Sequence, residues 1–265
     1  MSDSYDVVRL GTLNTGLGFL LGTAVTFIRK NNSLLAFKMG LRTGAASFFN
    51  SDFSCSGSLI APKRILTAGH CLCGSDMSSY RAYFDVVNRR NLNKGYRIVS
   101  GSMPDDYDKI CMEFLMDESV NLVEGFDVAI LNTRKSVVLT KTVQIGVLNF
   151  VNKVRSGTSL VLAGFGKDHS ITINNSGILK SGHIYASLCP FVGQQTKMTK
   201  NPICIRYDKT NIQNAGVGDS GGPLMLQKTK EIIGVVSGEI YAKDRIDEDQ
   251  ILKVLYSRKN KRVFI

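Results

Sequence analysis

Residues 218–223 read Gly-Asp-Ser-Gly-Gly-Pro, and no other stretch constrains the chain as tightly. Glycines on both sides of Ser220 let the backbone turn sharply and point N–H groups at one spot beside the hydroxyl. Such a spot suits the negative charge that develops on a carbonyl under attack. A serine alone is a weak nucleophile and needs a base. The chain has three histidines, His70, His169 and His183. His70 follows Leu66-Thr67-Ala68-Gly69 at the end of a candidate strand, His169 sits in a polar loop, and His183 lies inside a candidate strand. The base in turn needs a carboxylate to orient it, held away from water. Asp127 fits, as a single acid heading the apolar run Val128-Ala129-Ile130-Leu131. Burying a carboxylate there is costly unless something accepts its charge.

Chain order narrows the fold. The serine string also satisfies G-x-S-x-G, the turn of α/β-hydrolases, but that fold takes its acid and histidine after the serine. No histidine follows Ser220. The order His70, Asp127, Ser220 belongs to a different architecture.

Beyond residue 30 the sequence reads as short strands between turn clusters, the pattern of an all-β barrel or sandwich. Candidates are residues 37–41, 58–60, 65–68, 80–87, 95–100, 128–131, 159–164, 182–186, 223–226 and 232–236. No repeat of fixed period is visible. Residues 103–118 are acidic and irregular, and are read as a solvated loop without calcium-site spacing. From Ile246 the tail reads as a packed helix. Asp247, Glu248 and Asp249 suit a first turn, and Ile251, Leu252 and Leu255 share a face.

The N-terminal stretch from Leu10 to Ile28 is apolar or small, closed by Arg29-Lys30. It is read as an atypical signal or anchor segment, or else as an extension, which sets residues 1–30 apart from a domain over 31–265. The net charge of +11 permits contact with acidic surfaces. The basic residues show no aromatic interleaving and no nucleic-acid motif, so no nucleic-acid role is expected. The six cysteines, Cys55, Cys71, Cys73, Cys111, Cys189 and Cys204, form an even set without a C-x-x-C pair, which gives a zinc ribbon no support. Two N-x-S triplets, at Asn31 and Asn174, fit an exported chain.

With these residues in order, the sequence resembles the chymotrypsin/trypsin-like serine peptidases of family S1. Three blocks carry the likeness: Thr67-Ala68-Gly69-His70-Cys71, Asp127-Val128-Ala129-Ile130-Leu131 and Gly218-Asp219-Ser220-Gly221-Gly222-Pro223. Cys55-Ser56-Gly57-Ser58-Leu59-Ile60 resembles the strand before the histidine, and Gly164-Phe165-Gly166 stands where the family has Gly-Trp-Gly. The resemblance implies two six-stranded antiparallel β-barrels with the active site between them. It implies a secreted serine endopeptidase with His70 as base, Asp127 as orienter and Ser220 as nucleophile, and with Gly218 and Ser220 N–H groups binding the oxyanion. Ser237 matches the serine that contacts the aspartate. Disulfides Cys55–Cys71 and Cys189–Cys204 are implied, and Cys73 and Cys111 are candidates for an additional bridge. No cofactor, metal or integral membrane role is implied. Partners would be protein or peptide substrates and protein protease inhibitors, met by a monomer.

The pattern departs from the family in places. The family's cleaved Ile-Val-Gly-Gly-like terminus, which pairs with the aspartate before the serine (here Asp219), would start near residues 24–33, where no such motif stands. The pocket positions read Asn214 at the base, with Gly238 and Glu239 on the wall, so a direct acidic base for Arg or Lys is missing. The family's closing strand is not recognisable in residues 240–265. These departures keep a second reading open, a catalytically inactive homologue that binds proteins.

Overall fold

The computed structural model describes residues 24–29, 54–74, 77, 80–86, 95–116, 126–150, 154–166, 178–187, 202–206, 215–216, 218–240 and 252–256. Twelve strands and one helix of more than one turn fall within them.

The first six strands are β1 (Ala24–Arg29), β2 (Ser54–Ala61), β3 (Arg64–Thr67), β4 (Tyr80–Tyr83), β5 (Tyr96–Ser102) and β6 (Ala129–Thr133). They close into a barrel in the order β1-β2-β3-β6-β5-β4, with every pair antiparallel. Alternate residues point inward, and Leu59, Ile65, Ala82, Ile98 and Leu131 fill the interior without exposure. Strand β1 takes residues 24–29 out of the stretch read as an extension, and residues 1–23 lie outside the described residues. Phe27 pairs with Cys55 on one side and Ala82 on the other, so residues 24–29 are a barrel stave. Residues 24–29 of the span 24–33, where family spacing would start a cleaved terminus, lie in this strand.

The second unit is a six-stranded sheet, β8-β7-β10-β11-β12-β9. Its strands are β7 (Ser159–Gly164), β8 (Lys180–Tyr185), β9 (Pro202–Arg206), β10 (Pro223–Leu226), β11 (Ile232–Ile240) and β12 (Leu252–Tyr256). One antiparallel bridge, Ser187 to Cys204, brings its two edges together and rounds the sheet toward a second barrel. Strand β12 replaces the expected C-terminal helix. It pairs with β11 and β9 at once, so Val254 lies opposite both Gly238 and Cys204. A short apolar run does not separate the two periods, and two open strand edges settle it as strand.

Between the units, Leu66 and Ile130 from β3 and β6 meet Val161, Ala163, Met225, Ile232 and Val235 from β7, β10 and β11. This seam sets the facing ends of β3, β6 and β10 beside one another.

The acidic segment is also corrected. Asp105–Met116 is a helix, α1. Asp105, Asp106 and Asp108 lie in its first turn, where carboxylates complement the N-terminal dipole. Tyr107 and Cys111, four residues apart, share its buried face.

Two disulfides are described, Cys55–Cys71 and Cys73–Cys111. The second ties α1 to the chain just after His70. Cys204 is also disulfide-bonded; Cys189, its expected partner, lies outside the described residues. Cys73–Cys111 closes a loop of 38 residues. Replacing both cysteines by alanine is expected to lower stability by about 2–4 kcal/mol, mainly by freeing the unfolded chain. Urea denaturation with the other disulfides intact would measure it.

Candidate active site

His70 sits in a single 3₁₀ turn, Gly69–Cys71, that leaves the end of β3. The Cys55–Cys71 disulfide pins this turn to β2. Asp127 lies just before β6, which pairs with β3, so both residues emerge from the same end of neighbouring strands. The Asp127 carboxylate is fully buried and accepts three hydrogen bonds. The His70 backbone N–H reaches Oδ1 at 2.7 Å, and His70 Nδ1 lies 2.7 Å from Oδ2. The third comes from the Ser237 hydroxyl on β11, which donates to Oδ2. A buried carboxylate persists only when its charge is compensated in this way.

The hydrogen bond also assigns the histidine tautomer. With the proton on Nδ1 facing Asp127, the neutral ring presents a lone pair on Nε2. The His70 side chain keeps 17% of its surface exposed while Asp127 keeps 1%, so a reactant can reach the imidazole but not its orienter.

Burial acts on both pKa values, and the partners oppose it. For His70, desolvation pushes the pKa down, but the Asp127 charge and hydrogen bond outweigh it and the result lies above the ordinary 6.5. For Asp127, desolvation pushes up. The His70 charge, the hydrogen bonds from His70 and Ser237 and the His70 backbone N–H outweigh that, and the result lies below 3.8.

Two residues here were not found in the sequence. Tyr107 of α1 covers the turn so closely that a Cβ on Gly69 would stand 2.6 Å from its ring and 3.2 Å from Asp127 Oδ1. The ring helps keep water from the carboxylate. Its signal was the i, i+4 pair with Cys111, hidden within a segment read as loop. The other is Ser56, beside Cys55 on β2.

Ser220 enters from the second unit, in the loop before β10. Its carbonyl accepts a 2.8 Å hydrogen bond from Ser56 N–H. Cys71 Sγ lies 3.9 Å from His70 Nε2 and 3.9 Å from the Ser220 carbonyl oxygen, so the imidazole and the serine backbone flank one sulfur. Among the described residues no hydrogen bond joins Ser220 Oγ to His70 Nε2. Catalytic bonds of this kind are often long until substrate binds.

Gly218 has φ +100°, which favours glycine, and turns the chain ahead of Asp219 and Ser220. Among the described residues nothing accepts from the N–H of Gly218 or of Ser220, leaving two donors for an incoming oxygen. Asp219 lies beneath this loop, its carboxylate accepting from Gly166 N–H and Gly216 N–H, both at 2.7 Å. A Cβ on Gly166 would stand 2.5 Å from the Asp219 carboxyl carbon, so glycine is required there for the carboxylate to approach.

Of the residues that the resemblance assigns to a pocket, Gly238 and Glu239 lie on β11, and Asn214 is outside the described residues. Cys55, His70 and Cys71 bring possible ligand atoms within 4.8 Å of one another. The two sulfurs are bonded to each other, so neither is a thiolate able to hold a cation. No described helix is long and apolar enough to cross a membrane.

Comparison with known proteins points the same way. A family model described as Trypsin matches residues 38–253. The chain is 29% identical over 194 residues to a cercarial protease of Schistosoma mansoni, covering 69% of each. To a trypsin of Simulium vittatum it is 25% identical over 225 residues, covering 83% of this chain and 82% of that one. To a CLIP domain-containing serine protease of Anopheles gambiae it is 29% identical over 204 residues, covering 70% of this chain and 49% of the other. A match over most of the chain, carried on a closed six-stranded barrel joined to a second six-stranded sheet, shows that the chain belongs to the trypsin family.

Proposed function

We propose that this chain is a serine endopeptidase that works through His70, Asp127 and Ser220. The observation that supports this most directly is the buried Asp127 carboxylate, held by His70 and Ser237, with the imidazole still open to solvent on its other side. Ser220 Oγ attacks the carbonyl carbon of a peptide bond as His70 Nε2 takes its proton. The new imidazolium is stabilised by Asp127, and the oxyanion takes the N–H groups of Gly218 and Ser220. His70 then gives its proton to the leaving amine, and water repeats the sequence on the acyl-enzyme.

Substrates are proteins or peptides. Asn214, Gly238 and Glu239 are assigned to the pocket for the residue before the scissile bond. Asn214 is uncharged, so any preference for a basic side chain would come from Glu239. Protein inhibitors that present a substrate-like loop would fill the same cleft of a monomer. The disulfides support an oxidising compartment, and with it a secreted chain.

The test is labelling by a fluorophosphonate, which needs a serine activated by its base and oxyanion hole. Labelling of the folded protein that is lost in Ser220→Ala supports the peptidase. No labelling of a demonstrably folded sample would overturn it in favour of a non-catalytic, protein-binding homologue.

The pKa directions add an expected pH profile. The base works as neutral imidazole, so kcat/KM should rise with a midpoint above 6.5. Stability runs differently. The raised His70 pKa contributes stability that is full below 6.5 and lost as pH rises through the folded value. The lowered Asp127 pKa contributes stability that is full above 3.8 and lost as pH falls through its folded value. The pair therefore stabilises most between those limits, where the base is protonated and idle. Denaturant titrations of the wild type and His70→Ala across pH would show this offset.

A further inference from the structure

Ser56 is fully buried on β2, where a serine must find partners for every polar group. It finds four. Its N–H donates to the Ser220 carbonyl at 2.8 Å, and its own carbonyl accepts from Thr67 Oγ1 at 2.8 Å. Its hydroxyl accepts from Phe165 N–H at 3.1 Å and donates to the Gly218 carbonyl at 2.8 Å. Ser56 and Thr67 belong to the first barrel; Phe165, Gly218 and Ser220 belong to the second unit.

The hydroxyl falls at a sensitive place. The peptide plane between Gly218 and Asp219 is tied at both ends. Ser56 holds its carbonyl, and the Gly216 carbonyl takes its N–H at 3.0 Å. With that plane held, only the two torsions of Gly218 itself, ψ and φ, lie between it and the Gly218 N–H. The ring of contacts continues through the Asp219 carboxylate to Gly166 N–H, and from the neighbouring Phe165 N–H back to Ser56. We propose that Ser56 is a positioning residue, a hydroxyl from the opposite barrel that holds the Gly218–Ser220 loop with its donors set for the oxyanion. This rests on the reading of Ser220 as nucleophile and of the Gly218 N–H as oxyanion donor.

In Ser56→Ala the Phe165 N–H and the Gly218 carbonyl lose their partner, and the loop is free to reorient. The expected result is a kcat lower by about 10–100-fold with KM within about threefold, since the lost term acts on the transition state. Affinity for a peptidyl trifluoromethyl ketone, whose hemiketal oxyanion enters the same hole, should fall by the same factor. Binding of the matching peptidyl alcohol, which brings no carbonyl oxygen or charge to the hole, should not. Ser56→Thr, which keeps the hydroxyl, should restore kcat. Amide hydrogen exchange is read without catalysis. Phe165 should exchange roughly tenfold faster in Ser56→Ala, while Ile65 and Leu131 stay protected and certify the fold.

Wild-type kcat and unchanged Phe165 exchange in Ser56→Ala would overturn the proposal, as would a loss in Ser56→Thr equal to that in Ser56→Ala. Should Ser56→Ala fail to fold, the equal-shaped pair Ser56→Thr and Ser56→Val asks the same question, and equal kcat in the two would overturn it. If the wild type neither hydrolyses peptides nor reacts with a fluorophosphonate, the peptidase reading has failed. Faster Phe165 exchange in that case would leave Ser56 a structural tie and remove its catalytic role.

Discussion

Ser220→Ala and His70→Ala are each expected to lower kcat by about 10⁶-fold, and the double variant to lower it no further. In the proposed mechanism nucleophile and base perform one act. Without the imidazole, Ser220 Oγ keeps its proton; without the hydroxyl, His70 Nε2 has no proton to take. Once either is gone, the other contributes nothing that can be lost. What remains is the pair of N–H donors at Gly218 and Ser220, which still stabilise an oxyanion when water attacks directly. That leaves roughly 10³–10⁴-fold acceleration over water. Both variants should fold. Ser220 stands in a loop whose backbone bonds do not use its hydroxyl, and its carbonyl bond to Ser56 survives in alanine. Steady-state hydrolysis of a peptide amide measures the effect. A Ser220→Ala variant retaining more than about 1% of kcat would place the nucleophile elsewhere.

The two-barrel architecture was legible in the sequence, while several of the staves and the helix around the candidate site were not. The candidates His70, Asp127 and Ser220 stood out because the proposed chemistry would demand rare residue types in unusual settings: a glycine-flanked serine, and an acid heading an apolar run. In the structure Asp127 contacts both His70 and Ser237. What escaped was whatever depends on partners distant in the chain. Strand β1 carries no turn chemistry or alternation of its own, and its identity comes from pairing with β2 and β4. Strand β12 has apolar residues at spacings that serve helix and strand alike, and the gap between β11 and β9 decides. Helix α1 was hidden by its acidic first turn, which favours a helix N-terminus as much as a solvated loop. Ser56 is the sharpest case. A serine in a strand is ordinary, and its importance appears only when Phe165 and Gly218, more than a hundred residues away, close around its hydroxyl.

Asp127→Asn separates orientation from charge at the same site, and it is expected to lower kcat by about 10⁴-fold with KM little changed. The amide has nearly the shape of the carboxylate and is cheaper to bury, so the fold should hold. Its oxygen can still accept from the His70 backbone N–H, in place of Oδ1 at 2.7 Å. Its NH₂ group then faces His70 Nδ1, where the wild type has an acceptor. Two donors cannot share that contact. The neutral imidazole responds by moving its proton to Nε2, which removes the lone pair that would take the Ser220 proton. The same substitution deletes the charge that raises the His70 pKa, so burial is left to push it down and the remaining activity should lose its acid limb above 6.5. Asp127→Ala behaves differently. It leaves His70 N–H, Nδ1–H and the Ser237 hydroxyl facing an empty buried space, at about 1–3 kcal/mol for each unpaired group, so it should destabilise where Asn does not. The pair of variants thus distinguishes a carboxylate that directs a proton from one that only fills a hole. If Asp127→Asn keeps kcat within about tenfold of wild type, the tautomer is set by something else and Asp127 is structural.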